Sequence, residues 1–267
     1  MRAGIFQCAG GGLTPVQRLD KLAAALGSAR LDLIVCPELF MSGYNVGESI
    51  NTYAEAVDGP FAGRVADLAR ASGAAIVYGY PEKAGDTIYN SAACFGPTGE
   101  LIANHRKLVL PPGFEAQHFG HGNDLNVFEL GGVRCAILVC YDAEHPETVR
   151  AAAEAGAQVV IVPTALVDAW DVVAFHMMPS RAFENGIWLL YANHGGTEEG
   201  ARYLGASCIV GPDGNVAARA GEAEELICAD LDIDRVAAAQ ARMPYLTGLA
   251  KLRGLIDHKN QDSKRRK

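Results

Sequence analysis

Short apolar runs alternate with amphipathic segments along most of the chain. The runs have the length and the β-branched content of strands, and Pro, Gly or clusters of polar residues separate them. We predict strands at 2–8, 31–36, 74–80, 88–95, 101–107, 127–130, 133–140, 158–162, 188–192, 206–210 and 225–231. Apolar residues at helical spacing predict a helix that begins near Pro15 and further helices at 60–71, 147–155, 172–185 and 233–241.

Turn and capping signals support these boundaries. Thr14, Pro15 and Gln17 have the order of an N-cap, a first helical residue and a capping-box partner. Gly131 and Gly132 separate two strand-like runs and are typical of a two-residue hairpin. Hairpins mixed with strand–helix–strand units favour an α/β fold with mixed rather than purely parallel sheets.

The composition predicts one domain followed by a short segment. No linker interrupts residues 1–250, so we predict a single domain there and a C-terminal segment, 251–267, that ends in a basic tail. A chain of 267 residues with 49% hydrophobic content can bury a core without disulfides or metal ions. We interpret the basic tail, KNQDSKRRK, as a solvated terminus.

Charge and cysteine content exclude several protein classes. The net charge of −8 argues against a nucleic-acid-binding module, which usually has a basic face. No run approaches the roughly 18 uninterrupted apolar residues of a transmembrane helix, so no membrane partner is expected. The seven cysteines include no Cys-x-x-Cys pair, and the N-terminus does not resemble a secretion signal. We therefore expect a reduced, cytoplasmic protein.

Common phosphate- and metal-binding motifs are weak or missing in the sequence. The glycines at 10–12 are better interpreted as a turn between a strand and a helix than as a phosphate loop. His118 and His121 are three residues apart, but no predicted helix lies beneath them, and we expect no metal site.

Three chemically useful side chains follow apolar strands. Glu38 follows the second strand, Lys107 ends the fifth, and Cys140 ends a later one. Strand ends are where catalytic side chains converge in α/β proteins, and a carboxylate, an ammonium and a thiol suit nucleophilic acyl transfer. Each residue alone also fits a structural interpretation, as a small core thiol or as solvated charges.

Three sequence blocks contain these residues: CPELFMSGY (36–44), HRKLVLP (105–111) and CYDAEHPE (140–147). They resemble the signatures of the nitrilase superfamily, the carbon–nitrogen hydrolases. The blocks stand in the order of that family, and similarity extends through RAFENGIWLLYAN (181–193) and GASCIVGPDGNV (205–216). Nearly the whole predicted domain is therefore covered.

The resemblance implies a Glu–Lys–Cys triad of Glu38, Lys107 and Cys140. Cys140 would attack a carbonyl carbon, Glu38 would act as general base, and Lys107 and the Tyr141 N–H would stabilise the oxyanion. Glu115 fits the second glutamate that positions the lysine and the substrate in family amidases. A loop surface charge is its alternative interpretation.

The resemblance also implies a fold and an assembly. The family fold is a four-layer α-β-β-α sandwich with two mixed sheets. Family members associate through helices near the catalytic block and through C-terminal segments, which implies a homodimer or a larger homo-oligomer. Neither a metal ion nor an organic cofactor is expected.

The residues after Cys140 favour an amidase that hydrolyses a small aliphatic or ω-carboxamide to carboxylate and ammonia. Nitrilases proper usually have Trp-Glu where this chain has Tyr141-Asp142, so a nitrilase is a weaker alternative. N-carbamoyl amino acid hydrolases often show Arg-Arg-Trp where this chain has Ala143-Glu144-His145, yet that ureide activity stays open. A silent binding protein on the same fold is disfavoured by the intact triad.

The acyl group is not indicated by the sequence. Two departures from the family pattern, His145 and the Pro163–Leu166 segment, fall where the pocket should be lined. Family position and aromatic content select a set of pocket candidates, although each residue taken alone fits a core position better than a substrate contact: Phe40, Tyr44, Phe119, Tyr141, Leu166 and His176.

Overall fold

The computed structural model describes residues 1–265, with side chains described up to Ile256 except at residue 250. Its strands are β1 Arg2–Gln7, β2 Leu33–Val35, β3 Ala75–Ala84, β4 Thr87–Phe95, β5 Leu101–Arg106, β6 Val127–Leu130, β7 Val133–Ile137, β8 Val159–Pro163, β9 Trp188–Ala192, β10 Thr197–Glu198, β11 Ala201–Arg202, β12 Cys208–Val210, β13 Val216–Arg219 and β14 Glu225–Asp230. Its α-helices are α1 Pro15–Ser28, α2 Ile50–Tyr53, α3 Pro60–Ser72, α4 Phe114–His118, α5 Tyr141–Glu144, α6 Pro146–Glu154, α7 Met178–Asn185, α8 Asp234–Arg242 and α9 Tyr245–Arg265.

Two six-stranded mixed sheets form the centre of the molecule. The first has the order β14-β1-β2-β3-β4-β5, and the second has the order β13-β12-β9-β8-β7-β6. In each sheet three adjacent strands are parallel, β1-β2-β3 and β7-β8-β9, and antiparallel strands flank them. The prediction of mixed sheets is confirmed.

Alternation of side chains along the strands produces three apolar layers. In β1, Ile5 points into the core between the two sheets, whereas Phe6 packs on the opposite face beneath α1 and α3. In β8, Ile161 joins the core between the sheets and Val160 packs toward α6 and α7. Because both sheets are covered on both faces, the architecture is the expected α-β-β-α sandwich.

The elements whose observed boundaries agree best with the prediction are those with local sequence signals. Thr14 Oγ1 accepts a hydrogen bond from the Gln17 N–H at 3.3 Å, and Gln17 Oε1 accepts one from the Thr14 N–H at 2.9 Å. This is the predicted capping box at the start of α1. Gly131 and Gly132 have φ values of 58° and 79°, as a tight turn between antiparallel β6 and β7 requires.

Some predicted boundaries were wrong. The single helix predicted at 172–185 is a π-helical turn, Val173–Met177, followed by α7. Pro179 lies in the first turn of α7, where a missing N–H is tolerated. The strand predicted at 133–140 ends at Ile137, and three residues later, at Cys140, the backbone has a φ of 46° and is no longer extended. Strand β13, the short pair β10–β11 and the helices α2, α4, α5 and α9 were not predicted. Helix α4 ends at His118, where the sequence analysis expected no helix.

The predicted division of the chain at residue 250 stays a prediction. Helix α9 runs through this position from Tyr245 to Arg265. The side chains of the predicted basic tail, 259–267, lie outside the described residues.

Candidate active site

The three strand ends singled out in the sequence meet where the two sheets pack together. Glu38 follows β2 and Lys107 follows β5, both in the first sheet, and Cys140 follows β7 in the second. The Glu38 N–H donates to the carbonyl oxygen of Thr164, at the end of β8, over 3.3 Å. This bond joins the strand ends of the two sheets directly.

Lys107 is the centre of a buried network of charged groups. Its Nζ donates to Glu38 Oε1 at 2.7 Å and to Glu115 Oε1 at 2.6 Å, and all three side chains are buried. Asn90 on β4 bridges the two carboxylates, because its Nδ2 donates to Glu38 Oε1 at 2.7 Å and to Glu115 Oε2 at 3.0 Å. The Tyr44 hydroxyl donates to Glu115 Oε1 at 2.7 Å. One ammonium therefore lies between two carboxylates, each with further donors.

Backbone geometry brings Glu38 and Lys107 to this position. Leu39 has a φ of 47°, so the chain turns sharply after Glu38. Gly79 on β3 packs against this turn, and a Cβ there would lie 2.3 Å from Leu39 N and 2.7 Å from Glu38 Cα. The Lys107 N–H donates to Asn90 O at 2.8 Å, which continues the β4–β5 pairing one residue beyond the strand.

Cys140 occupies a strained turn between β7 and α5. Its φ is 46° and its ψ is −104°, a conformation that a non-glycine residue adopts only when its surroundings impose it. The Cys140 N–H donates to Pro163 O at 2.9 Å, and the Thr164 hydroxyl donates to Cys140 Sγ at 2.9 Å. Cys140 is half-buried, in contrast to the fully buried Glu38 and Lys107. Tyr141, the predicted oxyanion donor, follows as the first residue of α5.

Asp142 ties the Cys140 turn to the end of β5. Its Oδ1 accepts hydrogen bonds from the N–H groups of Leu108 at 3.0 Å and Val109 at 2.9 Å. Its Oδ2 accepts from the Val139 N–H at 3.1 Å and lies 3.0 Å from His105 Nε2. A buried carboxylate satisfied in this way holds the segments of Lys107 and Cys140 at a fixed separation.

Burial and neighbouring charges shift the pKa values of the three groups. Burial, supported by the charge of Glu115, raises the pKa of Glu38 to about 7 although Lys107 opposes the shift. Burial and the Glu38 carboxylate hold the pKa of the Cys140 thiol well above its ordinary value, against the effect of Lys107. Burial lowers the pKa of Lys107, but the Glu38, Cys140 and Glu115 charges outweigh burial and raise it. At neutral pH the resting thiol is therefore neutral and the lysine is charged.

This arrangement can move a proton between the thiol and a carboxylate. Glu38 Oε1 accepts from Lys107 and Asn90, whereas the buried Glu38 Oε2 has no hydrogen-bond partner among the described residues. A carboxylate with a pKa near neutrality can accept a proton and return it in a later step. The adjacent ammonium provides a fixed positive charge for an oxyanion.

Two of the predicted pocket residues lie beside this network. Tyr44 contacts Glu115 through its hydroxyl and Phe114 through its ring, with 5.8 Å between the ring centroids. Phe119 is buried in an apolar cluster that also contains Leu39. Tyr44 thus reaches the charged network, and Phe119 packs behind it.

The other predicted pocket residues have different surroundings. Leu166 is buried in the layer between the second sheet and its helices, and Asn193 holds its backbone through N–H and carbonyl hydrogen bonds. Phe40 is buried beneath α1 and α3. His176 is exposed on the π-helical turn, and no hydrogen bond in the described part of the chain joins it to the triad.

Several polar residues of the site were given no role from the sequence. Asn90 lies within a strand-like run, Thr164 lies in the segment 163–166 that stood out only as a departure from the family pattern, and Tyr191 lies in the family-like block 181–193. Asp142 stood out only as half of an amidase-like Tyr-Asp pair. Asn90, Thr164 and Tyr191 form hydrogen bonds with partners that are 24 to 52 residues away in the chain, so only the fold brings these groups together.

Among the described side chains, which extend to Ile256 except at residue 250, no group of three or more His, Cys, Asp or Glu residues could hold a metal ion. None of the helices within residues 1–265 is both long and apolar enough to cross a membrane.

Comparison with known proteins identifies the family of the chain. Residues 13–241 match the carbon–nitrogen hydrolase family. A hydrolase encoded in the pqqF 5′ region of Pseudomonas protegens is 41% identical over 251 residues, which cover 92% of this chain and 88% of the relative. An (R)-stereoselective amidase of a Pseudomonas species is 33% identical over 229 residues, covering 85% of this chain and 82% of that protein.

Solved structures of an amidase from Nesterenkonia sp. AN1 show the same fold. One of them, a mutant with acrylamide added at its active-site cysteine, has a TM-score of 0.78 and 34% identity and covers 91% of this chain and 98% of that chain. Another, a mutant in complex with butyramide, also has a TM-score of 0.78 at 34% identity, with coverage of 91% and 95%.

Proposed function

The chain belongs to the carbon–nitrogen hydrolase family and is an amidase with a cysteine nucleophile, and on this premise we propose that Cys140, Glu38 and Lys107 are its catalytic triad. The substrate is a small aliphatic or ω-carboxamide, which the enzyme hydrolyses to a carboxylate and ammonia. The observation that carries the proposal is the buried Glu38–Lys107–Glu115 network beside a half-buried, strained Cys140.

Acylation begins with attack of Cys140 Sγ on the amide carbon. The thiol proton passes to Glu38, the S–C bond forms, and the carbonyl π electrons become an oxyanion. Lys107 and the Tyr141 N–H stabilise this oxyanion. Glu38 then donates its proton to the amide nitrogen, the C–N bond breaks, ammonia leaves, and a thioester remains on Cys140.

Deacylation reverses the proton path. Glu38 accepts a proton from water, the water oxygen bonds to the thioester carbon, and a second oxyanion forms. When this oxyanion collapses, the C–S bond breaks, the sulfur recovers a proton through Glu38, and the carboxylic acid is released as carboxylate. A pKa of about 7 at Glu38 suits both acceptance and return of the proton.

Glu115 holds Lys107 in place during this cycle. The Lys107 ammonium contacts both Glu38 and Glu115. Its contact with Glu115 therefore keeps the ammonium in place when Glu38 gains or loses a proton. The Tyr44 hydroxyl fixes Glu115 in turn. We also assign Glu115 a substrate-positioning role, as the family resemblance implies.

An ammonia-release assay tests the function. Purified protein should release ammonia from short aliphatic amides and from monoamides of dicarboxylic acids, and Cys140→Ala should abolish release. Cys228→Ala is the matched control, because Cys228 is a partly exposed thiol on β14. Full activity of Cys140→Ala would contradict the mechanism.

A ureide hydrolase is distinguished by its products. Hydrolysis of N-carbamoyl amino acids would release carbon dioxide together with ammonia. If carbon dioxide is released from N-carbamoyl amino acids faster than ammonia is released from amides, the enzyme is a ureide hydrolase rather than an amidase. Nitriles in the same substrate panel test the remaining alternative, a nitrilase activity.

The enzyme acts as a homodimer or larger homo-oligomer. Large apolar side chains are exposed at Trp170, Phe175 and Phe183, near α7, and at Leu252 and Leu255 on α9. Such a surface is typical of a covered face in an assembly. Light scattering coupled to size exclusion should give at least twice the mass of the 28.2 kDa chain.

A further inference from the structure

Thr164 and Tyr191 form a pair of buried hydroxyl groups next to the Cys140 sulfur. Thr164 Oγ1 lies 2.9 Å from Cys140 Sγ and 3.1 Å from Tyr191 Oη. Thr164 follows β8 directly, Tyr191 lies on β9, and both side chains are buried. The ends of β7, β8 and β9, which are neighbours in the second sheet, thus bring the three side chains into contact.

The backbone determines where the Thr164 hydroxyl lies. The Thr164 N–H donates to Ala192 O at 2.8 Å, and Thr164 O accepts from the Glu38 N–H at 3.3 Å. The preceding carbonyl, Pro163 O, accepts from the Cys140 N–H at 2.9 Å. The branched side chain of threonine has restricted χ1 rotation. The hydroxyl is therefore held by the same backbone that positions Cys140 and Glu38.

The number of available protons sets the direction of the hydrogen bonds. Each hydroxyl donates only one proton, and Thr164 is the hydrogen-bond partner of Tyr191 Oη within the described residues. Burial raises the pKa of Tyr191 well above its ordinary value, so Tyr191 remains a donor. If Tyr191 donates to Thr164, the Thr164 proton is directed at the sulfur and both buried donors are satisfied. In the opposite direction the tyrosine proton has no acceptor among the described residues.

We propose that Thr164 is a further catalytic residue, which donates a hydrogen bond to the Cys140 sulfur, and that Tyr191 is a positioning residue, which orients the Thr164 hydroxyl. This inference rests on the proposed function, because that function makes the Cys140 sulfur the reacting atom. The hydrogen bond stabilises the negative charge on sulfur when the thiol proton moves to Glu38 during attack. It does so again when the C–S bond of the thioester breaks, and Thr164 keeps its own proton in both steps.

The hydrogen bond acts on a sulfur whose other neighbours have opposing effects. The sulfur is neutral in the resting thiol and in the thioester. A hydrogen bond to the sulfur becomes stronger as negative charge develops on that atom in the transition state. Glu38 and Glu115 disfavour a thiolate, whereas Lys107 and the Thr164 hydroxyl favour it. Tyr44, on the side of the first sheet, stays neutral because burial raises its pKa.

Alkylation of Cys140 by iodoacetamide across a pH range tests the proposal in the intact protein. Thr164→Val keeps the shape of the side chain and removes the donor, and we expect alkylation at neutral pH to slow by about 10- to 100-fold. We also expect the midpoint of the pH profile to move upward by about one unit or more. Thr164→Ser, the matched control, restores the hydroxyl and should recover most of the rate. Peptide mass spectrometry identifies the alkylated cysteine.

Two results would overturn the proposal. One is an unchanged alkylation profile in Thr164→Val, and the other is an equal loss in the Val and Ser variants, which would indicate a packing role. Tyr191→Phe provides a second test if Thr164→Val does not fold. It should slow alkylation in the same direction by a smaller factor, and an unchanged profile would overturn the orienting role.

The alkylation assay separates this inference from the proposed function. Alkylation needs no amide substrate, so a profile that depends on Thr164 in a protein inactive on amides contradicts the proposed function alone. Amide hydrolysis that requires Cys140, together with a profile independent of Thr164, contradicts the inference alone. The rate of ammonia release should fall in parallel with alkylation in Thr164→Val.

Discussion

Lys107 Nζ lies 2.6 Å from Glu115 Oε1, and neither side chain is accessible to solvent. Because Glu38 contacts the same ammonium at 2.7 Å, the lysine cannot neutralise both carboxylates. The excess negative charge raises the pKa of Glu38, after the larger effect of its burial. The Lys107–Glu115 pair therefore influences the general base as well as the lysine.

Substitution Glu115→Gln should lower activity and shift its pH dependence. In this variant Glu38 is the one carboxylate that contacts the Lys107 ammonium, and the repulsion from Glu115 is gone. The pKa of Glu38 should therefore fall. We expect a decrease in kcat of about 10²-fold or more and an acid limb of the pH–rate profile at lower pH. Steady-state kinetics across pH check both effects. Glu129→Gln, on the exposed face of β6, is the control, and an identical acid limb in Glu115→Gln would contradict the coupling.

The wild-type enzyme should lose activity as the pH falls below neutrality. Glu38 must be ionised to accept the thiol proton, and its pKa is raised to about 7. The value of kcat/KM should therefore decrease about tenfold for each pH unit well below that pKa. If kcat/KM stays constant down to the pH range of an ordinary glutamate pKa, Glu38 does not act as a base with a raised pKa.

Substitution Gly79→Ala should disturb the Glu38 turn. The added Cβ would lie 2.3 Å from Leu39 N and 2.7 Å from Pro37 O, both backbone atoms that cannot move independently. We expect a loss of about 1–3 kcal/mol in the free energy of unfolding, measured by urea denaturation, and reduced kcat. Gly63→Ala in α3 meets no atom within 4 Å, and should stabilise the protein by about 0.5–1 kcal/mol. Equal stabilities of the two variants would contradict this account of the turn.

Substitution Glu144→Gln should change the preference for charged acyl groups. Glu144 is half-buried at the end of α5, the one-turn helix that follows Cys140, and burial raises the pKa of its carboxyl group. The charge of Lys107 acts on Glu144 and opposes this shift, so the two side chains lie within electrostatic range. A carboxylate at Glu144 should therefore repel an anionic acyl group bound beside Lys107, and we expect wild type to favour neutral amides. The kcat/KM ratio of dicarboxylic monoamides to neutral amides should rise about 5- to 10-fold in Glu144→Gln, as for loss of one like charge. Glu147→Gln, exposed in α6, should leave the ratio unchanged.

The strand pattern, the hairpin and the first helix were determined by local sequence. Gly131-Gly132 and the Thr14–Gln17 capping box act through bonds within a few residues, so their sequence signals need no tertiary context. The helix predicted at 172–185 and the strand predicted at 133–140 were less accurate. Both boundaries depend on packing at the ends of the second sheet, which periodicity does not describe.

The sequence by itself determined the family, the two-sheet architecture and the chemical character of the residues at three strand ends. Only the tertiary structure decided which polar residues surround them. Asn90 meets Glu38 from 52 positions away and Glu115 from 25, and Thr164 meets Cys140 from 24. A polar residue in a strand looks the same in sequence whether it meets water or another side chain, and only the packing of the two sheets makes that choice.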